Sequence, residues 1–141
     1  MNTFEQKIRP VVLAHIKNGD KLLVFQGEDT VKNIIFYRML GGEIEFGEKS
    51  DETLHREIKE ELNAEIKNLR LMKAYENIFN YEGRKGHELT FIYDAEFVDK
   101  NYYDPNGIKI LDSKKQIKAI WVEIKKLKNS NFFPEGIKDI I

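Results

Sequence analysis

With 141 residues, 41% of them apolar, the chain is long enough for a single domain, residues 1–141, around one core. Lysine and arginine number 23 against 24 aspartates and glutamates, and a net charge of −1 gives no electrostatic case for nucleic acid or an anionic membrane as the main partner. The absence of cysteine removes disulfides, thiol nucleophiles and thiolate metal sites. With no apolar segment at the N-terminus and none of transmembrane length, the default expectation is a soluble, cytoplasmic protein.

Arg9 to Ile16 reads as a β-strand and Lys21 to Phe25 as its antiparallel neighbour. Asn18, Gly19 and Asp20 between them form a hairpin signal, because Asn and Gly tolerate the positive φ of a tight turn. Ile34 to Arg38 is a third short strand ending at Gly41-Gly42, where the backbone can come close to a ligand. Ser50 is the expected N-cap of a helix running to about Leu62, with Asp51 and Glu52 in its first turn complementing the helix dipole. Leu54, Ile58 and Leu62 recur at spacing four as its buried stripe. Ile66 to Phe79 holds a strand, Tyr81 to Gly86 a turn, and His87 to Val98 a strand with Leu89, Phe91, Tyr93, Ala95 and Phe97 on one side. A loop from Asp99 to Gly107, a last strand from Ile117 to Val122 and a short helix opened by Phe133-Pro134 complete a layered α/β pattern.

Chemistry concentrates between residues 42 and 61. Gly42 is followed after five residues by Glu48, after seven more by Arg56-Glu57, and then by Glu60-Glu61. Glu57, Glu60 and Glu61 lie at i, i+3 and i+4, so they share one face of the helix beside the apolar stripe. Three carboxylates placed together repel one another, and a cation between them would relieve that repulsion. Hard divalent cations take oxygen ligands of this kind, and phosphate chemistry uses such cations. The bland reading of the same residues is a glutamate-rich, solvated helix.

Residues 42–64 resemble the signature of the Nudix hydrolase family (MutT-like), G-x5-E-x7-R-E-U-x-E-E-x-G-U, with U a bulky aliphatic. Every charged position and the aliphatic at Ile58 match. Asn63 stands where the family usually has Gly, Ala64 where it has a larger aliphatic, and Leu40 where a Pro often precedes the double glycine. Asn adopts the left-handed conformation readily, so Asn63 can still end the helix. Ala64 is a smaller anchor and is expected to pack less well. The resemblance implies an α/β/α sandwich around a mixed β-sheet and a Mg²⁺- or Mn²⁺-dependent pyrophosphohydrolase acting on a small-molecule nucleotide. It gives Glu57 and Glu61 as metal ligands, Glu60 as ligand or base, and Glu48 as a ligand or an orienting group. The base is left open between Glu57 and Glu60. Arg56 would orient a carboxylate through a bidentate pair. Arg38, Gly41 and Gly42 are the candidate substrate contacts, and many relatives dimerise, which leaves a homodimer open.

Outside the signature, Glu82, Glu88 and Glu96 are alternative metal ligands or bases, with surface charge the favoured reading of each. Tyr37, Phe79 and Tyr81 can stack on a nucleobase, although strand aromatics usually serve the core. His87 reads as a strand-end histidine. A second function class, a regulatory domain that binds a nucleotide without cleaving it, usually lacks one or more of the acids; here all three remain. A diphosphate isomerase relative needs a catalytic cysteine, and the chain has none.

Overall fold

The structure, a computed structural model, describes residues 7–111 and 117–141. Strands β1 (Ile8–His15), β2 (Lys17–Asn18), β3 (Lys21–Asp29), β4 (Ile34–Arg38) and β5 (Gly41–Glu43) lead into helix α1 (Ser50–Leu62). The long hairpin β6 (Ile66–Tyr81) and β7 (Arg84–Phe97) follows, then a 3-10 turn at Lys100–Tyr102 and strands β8 (Ile108–Lys109) and β9 (Lys118–Glu123). Helix α2 (Ile124–Lys128), strand β10 (Phe132–Phe133) and a 3-10 helix at Glu135–Asp139 close the chain. No helix among the described residues is long and apolar enough to cross a membrane.

One sheet has the order β5-β1-β7-β6 and the second the order β10-β4-β3-β9-β8, with β2 beside β3. Both are mixed: β1 runs parallel to β7 but antiparallel to β5, and β10 runs parallel to β4. Val12, Ala14 and Ile16 pack with Leu54, Ile58 and Leu62 of α1, whereas Val11 and Leu13 pack with Leu127, Phe132 and Ile137 on the other side. Leu23 of the second sheet joins the first cluster, while Leu22 and Val24 join the second. The sheets therefore form a middle layer between α1 and the C-terminal helical elements, the expected α/β/α order. Each fully buried Leu or Ile contributes about 1.5–3 kcal/mol of apolar burial.

The strand and helix positions expected from the sequence hold to within a few residues; the short strands β2, β5, β8 and β10 are additional, with Gly41-Gly42 inside β5, and further details differ. Lys49, not Ser50, caps α1, and its N–H donates to Glu52 Oε1 at 2.9 Å. Ser50 is the first helical residue, and its hydroxyl shares a 2.6 Å hydrogen bond with Tyr93 Oη. Helix α2 has too few turns to show an amphipathic period and was not anticipated. On β7 both faces are covered: Phe91, Tyr93, Ala95 and Phe97 face α1, Thr90 and Ile92 are buried on the other side, and Leu89 lies beyond the helix, 38% exposed.

Asn63 ends α1 in the left-handed conformation, φ 54° and ψ 36°, with its N–H donating to the Lys59 carbonyl at 2.9 Å. Ala64 is buried, 2% exposed. Tyr102 donates its hydroxyl to the Asn63 carbonyl at 2.7 Å and stacks on Phe97 at 5.2 Å, closing over the helix end. Asn63→Gly should leave stability nearly unchanged in urea denaturation, whereas Asn63→Val should cost about 1–2 kcal/mol, because a β-branched side chain is strained at positive φ. Equal costs for the two would contradict the cap.

Candidate functional site

With Leu54, Ile58 and Leu62 turned inward, Arg56, Glu57, Glu60 and Glu61 are carried on the flank of α1 that faces β5 and the loop before the helix. Arg56 is the centre of this face. Its Nε and Nη2 donate to the two carboxylate oxygens of Glu48 at 2.8 and 2.9 Å. Nη1 donates to Glu57 Oε1 at 3.0 Å and lies 3.4 Å from both oxygens of Glu60. Nη2 also reaches the Glu43 carbonyl at 3.3 Å and sits 3.7 Å from the Glu45 carboxylate. The acids at 57 and 60 are thus not uncompensated, as their spacing alone implied. One guanidinium is instead shared among four carboxylates.

Glu48 is the most firmly held of the four. Besides Arg56, its Oε1 accepts from Thr53 Oγ1 at 2.9 Å and from the Glu45 N–H at 3.1 Å. The Arg56 hydrogen bonds, opposed by burial and aided by the Glu45 N–H, lower its pKa from 4.5 to about 2. The same hydrogen bonds raise Arg56 above its ordinary value, so its charge is constant. Both Glu48 oxygens are engaged, a geometry suited to the orienting role weighed for this residue.

Gly41 and Gly42 lie in β5, opposite Leu13 and Val12. A Cβ on Gly42 would sit 2.2 Å from Cδ of Glu57, so the Glu57 carboxylate rests directly against the missing side chain. A Cβ on Gly41 would fall 1.8 Å from the Val12 carbonyl oxygen. The two glycines border a cleft of about 370 Å³, within the about 300–1,000 Å³ usual for small-molecule sites. Glu61 lines the same cleft, and so do Arg9, Arg38 and Glu88.

Glu88 departs from the surface reading favoured for it. It is 1% exposed and accepts from Arg9 Nη1 at 3.2 Å and Arg38 Nη2 at 2.9 Å. Arg9 in turn lies 3.5 Å from Glu43. Sequence reasoning did not single out Arg9; the parallel pairing that sets it opposite Glu88 joins residues 79 apart. Glu82 and Glu96 lie outside the cleft: Glu82 holds the Thr30 N–H and hydroxyl, and Glu96 accepts from the Asn68 amide at 2.7 Å. His87 does not line the cleft either, and Tyr37 packs in the second core cluster.

The donors beside Gly42 are carboxylate and backbone oxygens, a hard set that suits Mg²⁺ or Mn²⁺ and not a thiophilic metal. Among the described residues no three His, Cys, Asp or Glu side chains are gathered closely enough to hold a metal unaided. That is compatible with Mg²⁺, which commonly takes one or two carboxylates and completes its shell with water and substrate phosphate.

Residues 7–140 match the NUDIX domain family, and the chain belongs to it. A curated relative, the NAD-capped RNA hydrolase NudC of Pectobacterium carotovorum, is 29% identical over 104 residues, covering 73% of this chain and 37% of that protein. The chain thus spans little more than a third of that relative's length. Among solved structures, a NUDIX hydrolase from Nitrosomonas europaea superposes with a TM-score of 0.63 at 23% identity, covering 88% of this chain and 78% of that one. The MutT protein from Bacillus halodurans gives 0.65 at 20%, covering 94% and 79%. These last two likenesses establish the fold.

Two predictions follow from the geometry. Gly41→Ala meets rigid backbone and should cost about 1–3 kcal/mol in chemical denaturation. Gly42→Ala meets the movable end of Glu57 and should cost less than about 1 kcal/mol while displacing that carboxylate. A Gly42 variant as unstable as the Gly41 variant would contradict this packing. For Glu48, a depressed pKa means stability that is present above pH 4.5 and lost as pH falls toward about 2. The Tm advantage of the native chain over Glu48→Gln should therefore be constant above that window and shrink through it; a difference unchanged down to pH 2 would contradict the ion pair.

Proposed function

We propose that this domain hydrolyses the pyrophosphate linkage of a nucleoside diphosphate joined to another group, with Mg²⁺ or Mn²⁺ as cofactor. The observation that carries the reading is the division of one cleft into opposite charges. Glu61 lines one part, beside Gly42, against which the Glu57 carboxylate rests; Arg9 and Arg38, bracketing Glu88, line another. A diphosphate needs cations at its oxygens, a role Arg9 and Arg38 would fill, and a base for the attacking water, for which Glu57 and Glu60 of α1 are the candidates.

In this reading Glu57 and Glu61 would hold the cation, with Glu60 a further ligand or the base, Glu48 fixing Arg56 and Arg56 fixing Glu57 and Glu60. The bound metal would neutralise phosphate charge and lower the pKa of water. Glu57 or Glu60 takes the proton from the attacking water as its oxygen bonds to phosphorus and the bridging P–O bond breaks. Arg38 and the backbone at Gly41 and Gly42 would contact the phosphates. A small nucleotide rather than a nucleic acid as substrate, and a cytoplasmic setting, belong to the same proposal.

The test is a panel of ADP-ribose, nucleotide sugars, NAD, NAD-capped RNA, dinucleoside polyphosphates and nucleoside triphosphates, assayed with Mg²⁺ and with EDTA. NAD and NAD-capped RNA are included because of the activity named for the curated relative. Selective cleavage that EDTA abolishes and excess Mg²⁺ restores is the expected result. Glu57→Gln and Glu61→Gln should each lower kcat by about 10²-fold or more with the fold retained. An active double variant, or turnover without metal, would overturn the assignment.

A further inference from the structure

Arg9 and Arg38 reach the cleft from different sheets, and one buried carboxylate joins them. Arg9 stands on β1, directly across the parallel register from Glu88 on β7. Arg38 ends β4 of the second sheet, in the segment that leads to Gly41-Gly42. Arg9 Nη1 donates to Glu88 Oε2 at 3.2 Å and Arg38 Nη2 to Glu88 Oε1 at 2.9 Å, so each carboxylate oxygen takes one guanidinium. We propose that Glu88 is a positioning residue: it makes no contact with the substrate, and it sets Arg9 and Arg38 in the arrangement that receives a diphosphate. The proposal rests on the pyrophosphohydrolase reading for the identity of the ligand.

Burial divides the three side chains by role. Glu88 is 1% exposed, whereas Arg9 and Arg38 keep 20% and 22% of their side-chain surface in solvent. A carboxylate at that depth is costly unless both oxygens are paired, and a guanidinium on either side meets the condition. Among the described residues the Arg38 guanidinium makes no hydrogen bond other than the one to Glu88, so most of its N–H groups are available to a ligand in the cleft it lines. Glu43 stands 3.5 Å from Arg9 Nε and steadies that arginine from its other side.

The charge of Glu88 runs against the ligand, and that gives its role a sign. A carboxylate on the wall of a cleft for an anion weakens binding by its charge alone. Without it, two guanidiniums carried by separate sheets would repel each other, and an arriving diphosphate would have to order both long side chains. A pair already held in place avoids that ordering, and a fixed guanidinium fork matches phosphate oxygens. Positioning and charge therefore predict opposite outcomes when Glu88 is neutralised. Loss of the preset geometry weakens anion binding, whereas loss of a negative charge with the geometry intact strengthens it.

The test is a calorimetric titration of inorganic pyrophosphate into the protein in EDTA, where neither metal nor turnover enters. Glu88→Gln keeps the shape and removes the charge; Glu88→Asp keeps the charge and draws the carboxylate back by one methylene. Both should weaken pyrophosphate binding about tenfold, the first against the sign of its charge change. Combined with Arg38→Ala, Glu88→Gln should weaken binding less than it does alone, because it acts through that arginine. With Mg²⁺ and the cleaved diphosphate, Glu88→Gln should raise KM by a similar factor and leave kcat within about twofold. Native or tighter pyrophosphate binding in the folded Glu88 variants, or a fall in kcat with KM unchanged, would overturn the positioning role. Should Glu88→Gln fail to fold, the affinity of Glu88→Asp decides alone. Weakened pyrophosphate binding in the variants with no diphosphate cleaved by the native protein would uphold the bracket and overturn the hydrolase reading.

Discussion

Arg56 has five N–H groups to divide, and the division orders everything near it. Two go in parallel to Glu48, the geometry in which a guanidinium binds a carboxylate most strongly, so the loop before α1 is tied to the second turn of the helix. What remains of the fork faces Glu57 and Glu60 at longer contacts, 3.0 and 3.4 Å. One cation cannot neutralise four anions, so residual negative charge is left on the acids around Arg56. That imbalance is what the proposed chemistry would use to attract a further cation. The shared arginine also limits repulsion, so the face can stay folded before a metal arrives.

The opposite electrostatic arrangement lies across the cleft. Glu88 is buried and paired on both sides by Arg9 and Arg38. Removing it would leave two guanidiniums facing one another in a poorly solvated space, whereas removing either arginine would still leave one pair. The bracket keeps both guanidiniums at fixed positions on the cleft wall. Acids in one part and arginines in another match a ligand that carries its own anionic groups to a bound metal.

Features decided within a few residues could be read directly from the sequence. The stripe Leu54, Ile58 and Leu62, the left-handed Asn63 and the pairing of Arg56 with an acid all follow from spacing along one helix and its loop. Ser50 was misread as the cap because a hydroxyl is the usual capping group, yet here Tyr93, 43 residues away, takes that hydroxyl and the cap falls one residue earlier. Glu88 was illegible for a stronger reason. Alternation on β7 fixed which side it faces, but the covering of that side comes from Arg9 and Arg38, 79 and 50 residues distant. Neither the parallel register of β1 with β7 nor the approach of the second sheet leaves a trace in local composition. Helix α2 escaped because five residues carry too little period to separate it from a turn.

The departures from the family signature at 63 and 64 fall at the end of the helix, and the structure answers them from outside the signature. The Asn63 carbonyl is taken by Tyr102, and the Glu61 carbonyl accepts the Leu111 N–H at 2.7 Å. The loop that follows β7 therefore holds the last turn of α1, the turn that presents Glu61 to the cleft. At the other end Glu48, through Arg56 and Thr53, holds the first two turns. A helix clamped at both ends keeps its intervening carboxylates in register with Gly42, where there is no side chain to push Glu57 away. A smaller residue at 64 is met by Tyr102, which belongs to the same core cluster, stacks on Phe97 and holds the Asn63 carbonyl beside it. Rigidity that a larger aliphatic would supply locally is supplied by a loop nearly forty residues further along the chain.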